Sequence, residues 1–254
     1  MKIAWCIYGQ PRLFRKGYDN IKAFLDNNSN VECDFFIHSW FDESLIGQYY
    51  TSSQYRQISQ SELYIGSDTD TAILQIYAPK SHIFEKPRDF DISHLHGSIM
   101  YESTNEHQKN NINNCMSNIY SKYKVNQLLQ EYIATKNTYY DLIISTRFDY
   151  LNTLLVDLQT LNPNKLNIIP SHSSKIILND NYVIASNDIF NKYSHAFANI
   201  ELFVNNATIM DICSGYTGST AFVPEVVMFA NMAYYYNYRV CYFIEQRDDM
   251  LNFI

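Results

Sequence analysis

The sequence predicts a single α/β domain, with a mostly parallel but mixed central sheet flanked by helices. Three observations carry that expectation. A near-continuous apolar run, Lys2 to Tyr8, is followed by an amphipathic stretch and a second apolar run from Val31 to Trp40, the pattern of a β–α–β unit. A long helical stripe from Asn111 to Lys136 leads into another apolar run, Tyr140 to Thr146. Short strands then alternate with helices to the end of the chain, which is the order of an α/β fold.

Each element has a local reason. Gly9 and Pro11 stop the first strand. Residues 16–27 place Tyr18, Ile21, Phe24 and Leu25 at helical spacing, and Asn27-Asn28-Ser29-Asn30 ends that helix. Val31 to Trp40 is a second buried strand, so the first pair is parallel and joined by a right-handed crossover. Residues 42–70 are polar and rich in Ser, Gln and Tyr, and read as an excursion with one short helix. Residues 71–78 form a helix and His82 to Glu85 lie in a third strand. Residues 86–110 form a loop or lid. Met116, Ile119, Tyr120, Val125, Leu129 and Ile133 give the long helix its apolar stripe. Leu166 to Ile169, Tyr182 to Ala185 and Arg239 to Ile244 are further strands, and 188–203 and 224–236 are helices. Mixed pairing is expected in this second half.

The chain has 254 residues, 46% of them hydrophobic, which suits one domain spanning 1–254 with a sizeable core. Five Cys without a Cys-x-x-Cys pair exclude a disulfide scaffold, a zinc ribbon and a thioredoxin-like site, and point to reduced thiols in the cytoplasm. A net charge of −7 argues against a nucleic-acid partner, while leaving room for a phosphorylated small molecule held by a local Arg. The 22 Tyr, with abundant Asn, Ile and Lys, have the look of AT-rich coding bias. The N-terminal apolar run is too short for a signal peptide or a bilayer span, so no transmembrane segment is expected. The aromatic stretch Tyr234 to Tyr238 is expected to pack in the core.

In an open α/β sheet the ligand crevice lies beyond the carboxyl ends of the parallel strands. Three polar clusters fall at such ends. Gly9-Gln10-Pro11-Arg12 is either an ordinary strand-to-helix turn or a phosphate site in which Gly9 admits the ligand and Arg12 pairs with it. His38-Ser39-Trp40 is either packed core or a pocket wall with an indole for stacking. Arg147-Phe148-Asp149 is either a salt-bridged strand end or a seat for a hydrated Mg²⁺ or Mn²⁺, which prefer oxygen ligands. Later, Glu225 follows Pro224 at a helix start, where the helix dipole favours a carboxylate. Asp180 lies in turn chemistry, Asn179-Asp180-Asn181. His172 follows a strand end. The loop Gly215 to Thr220 lacks the Lys of a P-loop, and no Gly-x-Ser-x-Gly elbow occurs.

Taken in order, these pieces resemble the nucleotide-sugar glycosyltransferases of the GT-A fold, and more closely a family found in bacterial surface-polysaccharide clusters and in some large viruses. The residues that carry the resemblance are Gly9-Gln10-x-Arg12 after the first strand and Phe36-Ile37-His38-x-Trp40 at the end of the second. They continue with Tyr140-Asp141, Ile144, Arg147 and Asp149, then Asp180 with Tyr182, and Pro224-Glu225. The match runs through nearly the whole chain.

The resemblance implies a GT-A-like single domain and a glycosyltransferase that moves a sugar from a nucleoside-diphosphate donor to a glycan or lipid-linked acceptor. A UDP-sugar is the expected donor, with a GDP-sugar second. Gly9, Gln10, Arg12, His38, Trp40 and Arg147 would bind the nucleotide sugar. Asp149 would hold Mn²⁺ or Mg²⁺ on the diphosphate. Glu225 and Asp180 would serve the acceptor side. One departure bears on the metal: Arg147 stands where such enzymes carry the first carboxylate of an Asp-x-Asp motif. The rival expectations are a sugar nucleotidyltransferase and a non-catalytic binding module. The expected setting is the cytoplasm, with a peripheral position on the inner membrane.

Overall fold

The computed structural model of the chain describes residues 1–50, 58–95, 106–150, 158, 161–162, 164–168, 181–211, 222–236 and 241–243. Its strands are β1 (Lys2–Gly9), β2 (Glu32–Trp40), β3 (Ser81–Glu85), β4 (Leu142–Arg147), β5 (Leu166–Ile168), β6 (Tyr182–Ala185) and β7 (Cys241–Phe243). The helices are α1 (Phe14–Asn27), α2 (Thr69–Tyr77), α3 (Glu106–Lys136), α4 (Asn187–Ser194), α5 (Ile200–Val204) and α6 (Pro224–Tyr236).

The strands form one sheet in the order β3-β2-β1-β4-β6-β5-β7. β1 runs parallel to β2 and β4, β2 to β3, and β5 to β7. β6 is antiparallel to both β4 and β5. The mostly parallel mixed sheet expected from the sequence is therefore present.

The apolar runs of β1 and β2 arise because both sheet faces are covered. On one face Ile3, Trp5, Ile7 and Ile37 pack with Ile21 and Phe24 of α1 and Ile73 of α2. On the other, Ala4, Cys6, Tyr8 and Phe36 pack with Met116 and Ile119 of α3, together with Phe190 of α4 and Val227 of α6. Fully burying each of the Ile, Phe, Met and Val side chains is worth about 1.5–3 kcal/mol, so two covered faces supply the main driving force. Burial also pushes the Cys6 thiol well up, which makes it a packing residue and a poor nucleophile.

The faces also fix where a ligand can go. The helices after β1 and β2 lie on one side of the sheet, whereas α3, between β3 and β4, lies on the other. The winding therefore reverses between β1 and β4. That reversal opens a crevice at their carboxyl ends.

Three expectations need correction. The helix expected over 188–203 is two helices, α4 and α5. Ser194 Oγ donates to the Asn191 carbonyl at 3.0 Å, and His195 Nδ1 lies 2.5 Å from the same oxygen, so side chains capture the carbonyl and the helix stops. The long helix starts at Glu106, inside the stretch expected to be loop. Tyr234 and Tyr235 are exposed on α6 and are not core residues; the Tyr235 hydroxyl accepts a bond from Asn199.

A buried side-chain hydrogen bond joins β1 to β4. Trp5 Nε1 donates to Thr146 Oγ1 at 2.9 Å, with both residues buried. Thr146→Val keeps the shape and removes the acceptor. It is expected to lower stability by about 1–3 kcal/mol, the cost of a buried unpaired donor, measured by urea unfolding.

Candidate functional site

At the end of β1 the chain turns through Gly9, whose φ of +99° lies in the left-handed region that suits glycine. The Arg12 N–H donates to the Gln10 carbonyl at 2.8 Å, a tight turn that returns Arg12 toward the end of β4. There Arg147 forms a fork on Asp149, with Nε 2.8 Å from Oδ1 and Nη2 2.6 Å from Oδ2. Its Nη1 donates to Asn181 Oδ1 at 3.2 Å. Arg12 Nε lies 3.9 Å from Asp149 Oδ2, and the Asp149 side chain is only 4% exposed. Burial pulls the Arg12 pKa down and Asp149 opposes that shift, while a guanidinium remains protonated at any physiological pH.

Gly9, Gln10, Arg12 and Arg147 line a cleft of about 960 Å³. Its other walls come from three directions. Pro87, Arg88 and Asp89 follow β3, and the Arg88 guanidinium lies 4.6 Å from the Tyr120 ring centre and 5.3 Å from that of Phe90. α3 contributes Asn113, Asn114, Ser117, Asn118 and Ser121, whose spacing of three, four and eight residues puts them on one helix face. Val223 and Pro224 close the cleft at the start of α6. Trp40 stacks on Tyr120 at 5.4 Å and donates from Nε1 to the Ser117 carbonyl at 3.4 Å. Beneath this floor Lys122 is fully buried, with Nζ 2.5 Å from Asn118 Oδ1 and 5.0 Å from the Tyr8 ring centre. Three guanidiniums face two carboxylates in the lining and the group directly under it, a locally positive site in an acidic chain.

Of the expected donor-site residues, Gly9, Gln10, Arg12, Trp40 and Arg147 meet in this cleft. His38 does not. Side chains alternate along β2, so His38 shares a face with Trp40 but sits two residues deeper, about 6–7 Å farther into the sheet. It is fully buried, edge-on to Trp40 at 4.9 Å and to Tyr120 at 5.7 Å. Glu225 immediately follows the lining residue Pro224 in the first turn of α6. Asp180, His172 and the loop 215–220 lie outside the described residues. The α3 stripe and Lys122 escaped the sequence reading, since polar residues on an amphipathic helix read as its solvent face and lysine as exposed. The 113/117/121 and 114/118 spacing was the available signal.

His38 gives a pH dependence. Its pKa is lowered to about 3, first by burial and then by the cations of Lys124 and Arg88. Glu85, with Oε1 3.8 Å from Nε2, is too weak a partner to reverse this. The unfolded chain takes up this proton near pH 6.5, so the contribution of His38 to stability is complete above about pH 6.5 and declines toward pH 3. His38→Phe is expected to flatten the pH dependence of the melting temperature between pH 7 and 4, by up to about 1.4 kcal/mol per pH unit. An unchanged pH profile would contradict a buried neutral imidazole.

Neither the models of known protein families nor the curated protein sequences contain a match to this chain. What the site can do follows from the chemistry of its own side chains.

That chemistry bears directly on the expected metal. Mg²⁺ and Mn²⁺ require several hard oxygen donors. Both Asp149 oxygens already accept from Arg147, and Arg12 stands beside them. A divalent cation at Asp149 would displace this fork and face two guanidiniums. Among the described residues, no group of three His, Cys, Asp or Glu side chains is arranged to hold a metal. The assignment of Asp149 as a metal ligand does not fit the donor set around it.

Proposed function

We propose that the chain is a glycosyltransferase with a GT-A-like fold, transferring a sugar from a nucleoside-diphosphate donor to a hydroxyl of a glycan or lipid-linked acceptor. The observation that carries this reading is the switch-point cleft, where Arg12 after β1, Arg88 after β3 and Arg147 at the end of β4 converge. Such donors are suited to a diphosphate, whose oxygens accept paired N–H bonds. Trp40 and the amide and hydroxyl groups of α3 suit a base or sugar in the same cleft.

In the proposed reaction, the bond from the anomeric carbon to the diphosphate oxygen breaks and its electron pair passes to that oxygen. The arginines stabilise the charge that develops there. The acceptor oxygen forms the new bond to the anomeric carbon and gives up its proton, for which Glu225 is the proposed base. A UDP-sugar is the proposed donor, with a GDP-sugar second. The proposed setting is cytoplasmic and peripheral to the inner membrane; Cys6, Cys33 and Cys115 are free thiols, and no helix among the described residues is long and apolar enough to cross a membrane.

The test is release of nucleoside diphosphate across a panel of nucleotide sugars, with thermal-shift measurements on the bare nucleotides. Turnover of one donor class supports the proposal. Turnover only of a nucleoside triphosphate with a sugar phosphate would make the chain a nucleotidyltransferase. Binding without turnover, with every acceptor tried, would make it a binding module.

A further inference from the structure

We infer that the cleft holds its diphosphate through a guanidinium clamp, Arg12 and Arg147 anchored by Asp149 with Arg88 opposite, and that this clamp works without a divalent cation. The inference rests on the proposed reading in one respect, that the anion is the diphosphate of a nucleotide.

Asp149 is the centre of the argument. A carboxylate only 4% exposed cannot reach out to share a hydrated cation with a ligand in the cleft. Both of its oxygens accept from the Arg147 fork, at 2.8 and 2.6 Å. Asn181 fixes a further edge of the same guanidinium. Arg147 is thereby held in one orientation while its side chain keeps 24% exposure toward the cleft. A guanidinium has more N–H donors than these partners use, so it can present donors to a ligand while remaining anchored. Asp149 is a positioning residue in this arrangement and touches no substrate.

Arg12 strengthens the arrangement. Its side chain is 20% exposed and lies beside the same carboxylate, so one anchor serves two cations. The pair carries one more positive charge than its anchor neutralises. Arg88 is differently supported: its guanidinium stacks over Tyr120 and Phe90 and interacts with the Tyr120 hydroxyl, and the planar fork has further donors to offer a ligand. Asp89 also lines the cleft, and its Oδ1 accepts from Asn113. Fixed positive charge on three separate elements does the work that a metal bridging two phosphates would otherwise do.

The experiment is calorimetric titration of inorganic pyrophosphate, and separately of UDP and GDP, into the full chain, once with excess EDTA and once with excess Mn²⁺. The expected result is binding of equal affinity in both conditions. Arg147→Lys, which keeps the charge and loses the fork, is expected to weaken pyrophosphate binding about tenfold or more. Arg88→Gln, at an exposed loop position, is expected to weaken it several-fold and guards against misfolding of the Arg147 variant. Asp149→Asn is expected to leave the ratio of the two affinities near unity. Binding that appears only with Mn²⁺, and is lost in Asp149→Asn, overturns the clamp while leaving the transferase reading in place. Metal-free, arginine-dependent binding of pyrophosphate without binding of either nucleotide upholds the clamp and overturns the nucleotide-sugar reading. Failure of all three ligands in both conditions overturns both.

Discussion

Arg147→Lys is expected to lower kcat/KM for the proposed nucleotide-sugar donor by about 100-fold or more, the scale of losing one preorganised donor to a developing oxyanion. Lysine preserves the charge, so a purely long-range attraction would survive the change. What it cannot preserve is geometry. Arg147 spans both oxygens of Asp149 and reaches Asn181 with the same planar group. An ammonium is a single point with rotatable donors, and cannot hold Asp149 and Asn181 while presenting hydrogen bonds to a ligand. The loss should fall mainly on kcat if the leaving diphosphate gathers charge in the transition state, and on KM if the arginine only binds the ground state. Arg147→Ala is the poorer experiment. It removes the forked partner of a buried carboxylate, and an uncompensated buried charge costs roughly 3–5 kcal/mol, so activity and folding would fail together. Measured donor kinetics with the lysine variant, alongside its melting temperature, separate the two effects. Activity within about threefold of the parent, with the fold intact, would remove Arg147 from the reacting centre.

The parts of this site that the sequence showed are those tied to backbone periodicity. β1, β2 and β4 are buried on both faces, so their apolar runs are visible and the residues where they end, Gly9 with the turn to Arg12, Trp40 and Arg147, mark the carboxyl edge of the sheet. Depth along a strand is less visible. His38 and Trp40 share a face and a motif, yet one lies in the core and the other at the cleft. The role of Asp149 was ambiguous for a different reason. A carboxylate two residues from an arginine can close on it or project past it, and only side-chain geometry tells which; here it closes. Tyr140 and Asp141, part of the same family-like pattern as Arg147, prove to be far from the cleft in role. The Tyr140 hydroxyl donates to Asp34, and Asp141 accepts from the Lys2 N–H, so both fasten the opposite, amino-terminal end of the sheet. A sequence pattern thus mixes residues that hold the strands together with residues that face the cleft.

Gly17→Ala is expected to damage both fold and site, against the usual rule for helices. At an ordinary interior helix position alanine is favoured over glycine by about 1 kcal/mol. Gly17 lies in α1, and a Cβ placed there would stand 1.9 Å from the carbonyl oxygen of Phe148 and 3.1 Å from its carbonyl carbon. Both are backbone atoms, so no rotamer change relieves the contact. Either α1 moves away from the sheet or the segment after β4 is pushed outward. Moving α1 would loosen the packing of Ile21 and Phe24 on Ile3 and Trp5, as well as the bond from the Tyr77 hydroxyl to the Phe14 carbonyl. Moving the segment would displace Phe148, which is 1% exposed and packed against Tyr77, and with it both neighbours, Arg147 and Asp149. The overpacking penalty is about 3 kcal/mol, near the upper end for a core insertion, because rigid backbone must yield. For a chain of this size that corresponds to a fall of roughly 6–12 °C in melting temperature. Gly17→Ser should behave alike, since the added Cβ is the same. The informative comparison is between the two ways of yielding. If α1 moves, stability falls and pyrophosphate affinity is kept in the surviving folded fraction; if the segment moves, affinity falls as well. A Gly17→Ala protein as stable as the parent would mean that α1 does not approach the Phe148 carbonyl this closely.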